Sequence, residues 1–133
     1  MVTDPIGDFL IRLRNAQSAR KDSTLVPNSN MTRALADVLL REGYIGEVTR
    51  GAKNATGKMN ALTISLLYKN GRPAILGAKR ISKPSRRMYM GVRDIKPVKR
   101  GHGLLVLSTP AGIVTGTEAK AKRIGGEVLF EIW

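Results

Sequence analysis

The segment Leu104-Leu105-Val106-Leu107-Ser108-Thr109-Pro110-Ala111-Gly112 runs an apolar strand straight into small hydroxyl residues, a proline and a glycine. Four consecutive apolar residues bounded by turn formers predict a short buried strand, Leu104 to Leu107, with a turn from Ser108 to Gly112. A second hydroxyl cluster, Thr115-Gly116-Thr117, follows, and the Ala/Lys stretch after it predicts a helix over 117–123. Gly125-Gly126-Glu127 then leads into a final strand, Val128 to Trp133. A rigid strand presenting small hydroxyls suits the reading of a polar surface at close range: hydroxyls donate and accept, and glycine lets backbone approach.

Working upstream, residues 79–100 hold nine Lys or Arg against one acid, Asp94. Short strands are predicted at Ala74 to Leu76 and Met88 to Val92. The first half has a different texture. Ile6, Phe9, Leu10 and Leu13 fall at helical spacing after Pro5, with Thr3 or Asp4 as cap and Arg12 and Arg14 on the opposite face. Val26-Pro27 predicts a short edge strand, because proline cannot donate to a ladder. Ser29 caps a second helix that runs to about Glu42, with Gly43 as its stop. Tyr44 to Val48 and Leu62 to Tyr68 predict two strands around a polar hairpin tip, Gly51 to Lys58. The fold class is therefore α+β in two small lobes: an αβαββ lobe over 1–70 and a mainly β lobe with one short helix over 71–133, joined at Lys69 to Pro73.

The 133 residues carry a net charge of +13, and 42% of them are hydrophobic. Such a chain has the apolar content to pack a core, and a positive excess larger than solubility requires, which calls for a polyanionic partner. Residues 1–70 hold ten basic and six acidic groups, a balance of +4. Residues 71–133 hold thirteen and four, a balance of +9, so the second half should meet the polyanion first. The absence of cysteine removes disulfides, thiolate metal sites and cysteine nucleophiles. The N-terminus is acidic at once and has no apolar h-region, which predicts no secretory leader, and no apolar run nears the ~20 residues of a bilayer span.

Several motifs have bland readings. Gly51 to Lys58 has five residues between its glycines and Met59 after the lysine, so it is not a phosphate loop. His102, the one histidine, sits in Gly101-His102-Gly103 and reads as a solvated turn residue. No metal-ligand spacing or catalytic constellation emerges: no enzyme, cofactor or metal is expected. Ile81-Ser82-Lys83-Pro84-Ser85-Arg86-Arg87-Met88-Tyr89 reads as a turn at Pro84-Ser85 with cations on either side, and Tyr89 either stacks on a base or lies in the core. Ser108 and Thr109 either meet a nucleic-acid edge or simply turn the chain. Glu127 either accepts from a base amine or pairs with an arginine, and Thr115 or Thr117 caps the last helix.

Leu107 to Thr115, Glu118-Ala119 and Gly125-Gly126-Glu127-Val128 together closely resemble the C-terminal signature of the family of the eighth bacterial small-subunit ribosomal protein. The likeness extends to Asp4-Pro5-Ile6 with Arg12 to Ala16, to Pro27 through Ile45, and to Ile81-Ser82-Lys83-Pro84 with Arg87 and Tyr89. It implies a two-lobed α+β protein of the cytoplasmic ribosome. It also implies a primary contact with the central domain of small-subunit ribosomal RNA, where Ser108, Thr109, Gly125, Gly126 and Glu127 meet an irregular stem in its minor groove. Lys83, Arg86, Arg87 and Tyr89 form a second contact on this reading, Arg14 adds a phosphate contact, and neighbouring small-subunit proteins are the other partners. Neither membrane nor small-molecule substrate is expected. The chain departs from the family pattern at Pro110 (usually a hydroxyl residue), Ser85 (usually glycine) and Gly116 (commonly aspartate). A free-standing RNA chaperone or translational repressor using the same surface is the alternative.

Overall fold

The computed structural model describes residues 4–50 and 61–133, and the chain forms two compact units, Pro5–Ala74 and Ile75–Trp133 together with Asp4. The Gly51 to Lys58 tip lies outside the described residues.

The first unit runs α1 (Pro5–Ser18), β1 (Ser23–Pro27), α2 (Asn30–Arg41), β2 (Ile45–Arg50) and β3 (Ala61–Leu66), then a small hairpin of β4 (Tyr68–Lys69) and β5 (Arg72–Pro73). The apolar faces of both helices are spent on one core: Phe9, Leu13, Leu35, Leu39, Ile45, Leu62 and Ile64 are fully buried, each such side chain contributing about 1.5–3 kcal/mol. Ser29 caps α2 through a reciprocal pair with Thr32, and Gly43 takes φ +81° just past its end, as its stop role requires. β3 is the middle strand of an antiparallel sheet ordered β1-β3-β2, and its Leu62, Ile64 and Leu66 point inward in strict alternation. Pro27 lies at the end of edge strand β1, where its missing N–H costs no ladder bond. The Asn70-Gly71 turn has φ +53° and +77°, the left-handed pair favoured in two-residue hairpins.

The second unit contains β6 (Ala78–Arg80), β7 (Tyr89–Met90), two 3₁₀ turns (Val92–Asp94 and Lys99–Gly101), β8 (Leu104–Thr109), β9 (Gly112–Thr115), α3 (Gly116–Lys122) and β10 (Gly126–Ile132). Its antiparallel sheet is ordered β6-β10-β8-β9, and β7 pairs β10 as well. Leu105, Leu107, Val114 and Val128 form a core with Ile95, Val98 and Ala119 of α3. Thr115 caps α3 in a reciprocal box with Glu118, which decides between the two threonines. The α+β class is borne out.

Three local expectations need correction, and one strand was not foreseen. The strand read at Ala74 to Leu76 begins at Ala78 instead. Leu76 and Gly77 direct their N–H groups to the Trp133 carbonyl, at 2.7 and 3.1 Å, and Gly77 lies so close to the indole that a Cβ would fall 2.6 Å from it. The strand read at Met88 to Val92 keeps only Tyr89 and Met90, because Val92 enters a 3₁₀ turn. Ser108 and Thr109 are not turn residues. They end β8, and the reversal is made by Pro110-Ala111 alone. Proline there presets the φ of the first turn position, and Gly112 follows at φ +104°. Gly112–Thr115, not anticipated as a strand, completes the hairpin.

Candidate nucleic-acid interface

The strand register assembles most of the expected residues. Glu127 of β10 is the direct partner of Ser108 on β8 and of Tyr89 on β7, so Tyr89, Glu127 and Ser108 form one rung across three strands. Directly opposite residues on antiparallel strands lie about 4.5–5.5 Å apart, so the three side chains share one small area. Glycine makes this possible. A Cβ on Gly126 would stand 2.2 Å from the Ser108 carbonyl oxygen, and one on Gly125 would stand 2.3 Å from that of Met90. The two glycines therefore let β7 and β8 close on β10 at this point, and that close approach is their role in the site.

The four candidate side chains differ in what remains open. The Thr109 hydroxyl donates to the Gly112 carbonyl (2.9 Å) and accepts from Ala111 N–H (3.1 Å), so it staples its own turn. The Ser108 hydroxyl has no hydrogen-bond partner among the described residues and is half-buried. Glu127 accepts at one oxygen, Oε2, from the Ser82 hydroxyl and from Arg87 Nη1 (3.1 Å), which leaves Oε1 open. The arginine pairing foreseen as the bland reading is thus present, but it uses half of the carboxylate. Arg87 is half exposed, and a pair of that kind is worth little on its own. Tyr89 is 70% exposed, which sets aside the core alternative and leaves its ring open to solvent, where it could stack.

The basic motif folds as expected. Lys83 and Arg86 exchange two backbone hydrogen bonds of 2.9 Å across Pro84-Ser85, a tight hairpin that holds Lys83, Arg86 and Arg87 exposed. Ser82 went unnominated. It is 2% exposed, donates to Glu127 Oε2 and accepts from Met88 N–H at 3.2 Å, tying the basic hairpin to the rung. A serine flanked by Ile81 and Lys83 carries no sequence signal of a partner 45 residues away. Arg14 lies exposed on α1, in the first unit, and His102 is exposed just after a 3₁₀ turn. Among the described residues no three acidic, His or Cys groups could hold a metal, and no helix is long and apolar enough to cross a membrane.

The profile of the family described as ribosomal protein S8 matches residues 4–133. Among similar curated proteins, the small ribosomal subunit protein uS8 of Persephonella marina is 43% identical over 136 residues, covering all of both chains. That of Nitratidesulfovibrio vulgaris is 45% identical with the same full coverage. That of Erythrobacter litoralis is 46% identical over 99% of this chain and 98% of its own.

Proposed function

Because this chain belongs to the ribosomal protein S8 family, whose members are structural proteins and not enzymes, we propose that it binds an irregular stem in the central domain of small-subunit ribosomal RNA and supports assembly of the small subunit. Its place is then the cytoplasmic ribosome, among neighbouring small-subunit proteins. The observation that carries the reading is the rung: an open hydroxyl (Ser108), an open carboxylate oxygen (Glu127) and an exposed ring (Tyr89) aligned on three strands, with the cationic hairpin tied to it through Ser82.

The division of labour follows from the chemistry. Lys83, Arg86, Arg87 and Arg14 meet phosphates, which fixes the protein on the RNA without reading sequence. Ser108 bonds to a base edge or a ribose 2′-hydroxyl, Glu127 Oε1 accepts from an exocyclic amine, and Tyr89 stacks on an unpaired base. Gly125 and Gly126 keep this edge free of side-chain bulk, and Thr109 holds the turn beside it. Ordinary A-form duplex offers little to such an edge, so a distorted stem with splayed bases is the matching target.

The test compares binding to an irregular central-domain stem and to a generic duplex across a salt series. Ser108→Ala and Glu127→Gln should each lose about 1–3 kcal/mol on the stem and little on the duplex. Arg86→Ala and Arg87→Ala should weaken both RNAs alike and flatten the salt dependence. Equal losses from all four variants on both RNAs would overturn the division, and a wild-type protein without preference for the stem would overturn the function.

A further inference from the structure

Four residues other than glycine take positive φ: Arg20 (56°), Asn70 (53°), Lys99 (49°) and Arg123 (55°). An L side chain in this region crowds its own backbone, and only glycine, asparagine and aspartate adopt it with ease. Asn70 therefore needs no special cause. Arg20 and Lys99 each have a partner inside the chain. The Arg20 guanidinium donates to the Gly71 carbonyl and lies 5.6 Å from the centre of the Tyr68 ring. The Lys99 ammonium stands 4.4 Å from the centre of a Trp133 ring. Arg123 has nothing comparable. It is exposed, and its guanidinium forms no hydrogen bond, ion pair or ring contact among the described residues.

The end of α3 requires the left-handed turn. Ile124 N–H donates to the Ala119 carbonyl (3.0 Å) and Arg123 N–H to that of Lys120 (3.1 Å). These two bonds close a helix around a left-handed residue, a position that glycine usually fills. The turn then delivers the chain into Gly125-Gly126-Glu127. Strain that nothing within the fold offsets points to a use outside it. The local charge says which use: between Glu118 and Glu127 the charged residues are Lys120, Lys122 and Arg123, all exposed, with no acid among them.

Along β10, Arg123 stands on the other side of Glu127 from the basic hairpin. The hairpin leaves and rejoins the sheet at Val128, whose carbonyl accepts from Ser82 N–H (3.0 Å) and whose N–H donates to the Met88 carbonyl (2.9 Å). Arg123 precedes Glu127 by four residues, at most about 14 Å of chain. We infer that Arg123 is a further RNA contact, a phosphodiester hold at the start of β10 that brackets the rung from the end opposite the hairpin. The inference rests on the RNA-binding reading above and adds a direction to it. The RNA strand follows β10, with one phosphate at Arg123, a base at the rung and another phosphate at the hairpin. A guanidinium suits the first position, because it stays charged and can present two parallel N–H groups to one phosphate.

Arg123→Gly and Arg123→Lys in the full chain are compared with wild type by urea unfolding and by binding to the irregular stem across a salt series. The glycine variant relieves the backbone and removes the charge. Its urea midpoint should rise, while its stem affinity falls about fivefold near 0.15 M salt and the slope of log affinity against log salt drops by about one. The lysine variant keeps both strain and charge, so its midpoint and salt slope should match wild type. A glycine variant with a higher midpoint but unchanged affinity and slope would overturn the contact. An unchanged or lower midpoint would remove the strain on which the inference stands. A wild type that binds no stem would instead refute the proposed function, and this inference with it.

Discussion

Replacing Gly126 with alanine tests the close approach on which the rung depends. Gly126 is not among the positive-φ glycines, so alanine meets no torsional objection there, and the effect is steric. The added Cβ would lie 2.2 Å from the Ser108 carbonyl oxygen and 2.9 Å from Thr109 Cγ2, whereas ordinary contact begins at 3.4 Å. β8 and β10 must therefore part by about 1 Å at their ends. Hydrogen bonds stretched that far from about 2.9 Å are no longer bonds. Losing one or two, at ~0.5–1.5 kcal/mol each, adds to ~1–3 kcal/mol of overpacking strain. The entropy alanine removes from the unfolded chain returns about 0.4–1 kcal/mol. A net loss of about 2–3 kcal/mol follows. Trp133, the single tryptophan, lies in this unit and reports its unfolding in a denaturant titration. Below the transition, Gly126→Ala should also lose affinity for the irregular stem while keeping most of its cation-driven binding to duplex. Gly112→Ala is the control: nothing lies within 4 Å of its Cβ, so only the φ of +104° opposes it, at about 1–3 kcal/mol. An unchanged denaturation midpoint together with unchanged stem affinity for Gly126→Ala would refute the close-packed rung.

Ser82→Ala strips a buried acceptor from Met88 N–H and a donor from Glu127, so unfolding free energy should fall by about 1–3 kcal/mol in the same titration. Thr109→Val removes the staple of the β8–β9 turn and should lower stability by about 1 kcal/mol, with RNA loss no larger than that of Ser108→Ala. Thr115→Ala deletes the α3 cap at about 1 kcal/mol without touching the proposed RNA-facing edge, measurable as lost stability at unaltered stem affinity. Tyr44 has its phenol pKa raised by burial and then by the nearby Glu42 carboxylate. The folded state therefore holds this proton more tightly than the unfolded chain. Its contribution to stability is full below about pH 10 and is lost as pH rises toward the folded value. The wild-type stability curve should drop relative to Tyr44→Phe only in that alkaline window.

Elements with several mutually consistent local signals were legible from residues alone. α2 has a capping serine, an apolar stripe and a glycine stop, and β3 alternates without exception. β9 was missed because four residues, half of them Gly and Thr, give no period to detect. β6 was placed too early because Ala74-Ile75-Leu76 is apolar, yet the Leu76 N–H is taken by the carbonyl of Trp133, a partner almost sixty positions on, and the Ala74 N–H by that of Leu67. The site shows the same limit. Residue types and charge indicated Ser108, Glu127 and the cationic turn, but only the register shows Glu127 between Ser108 and Tyr89, and only side-chain positions show which hydroxyl is spent. Nonlocal pairing chose among readings that local chemistry left equal.

Glu127 has a consequence beyond any bond it forms. Its carboxylate lies on the rung between Ser108 and Tyr89, with Ser82 and Arg87 of the cationic hairpin segment steadying one oxygen and no hydrogen bond to the other. A backbone phosphate sliding onto that spot would meet like charge at short range, in a setting less screened than open water. On the proposed RNA-binding reading, the surface attracts the polymer broadly yet refuses it at one point, so a strand displaced along its length would be pushed back toward the frame in which a base, not a phosphate, faces the acid.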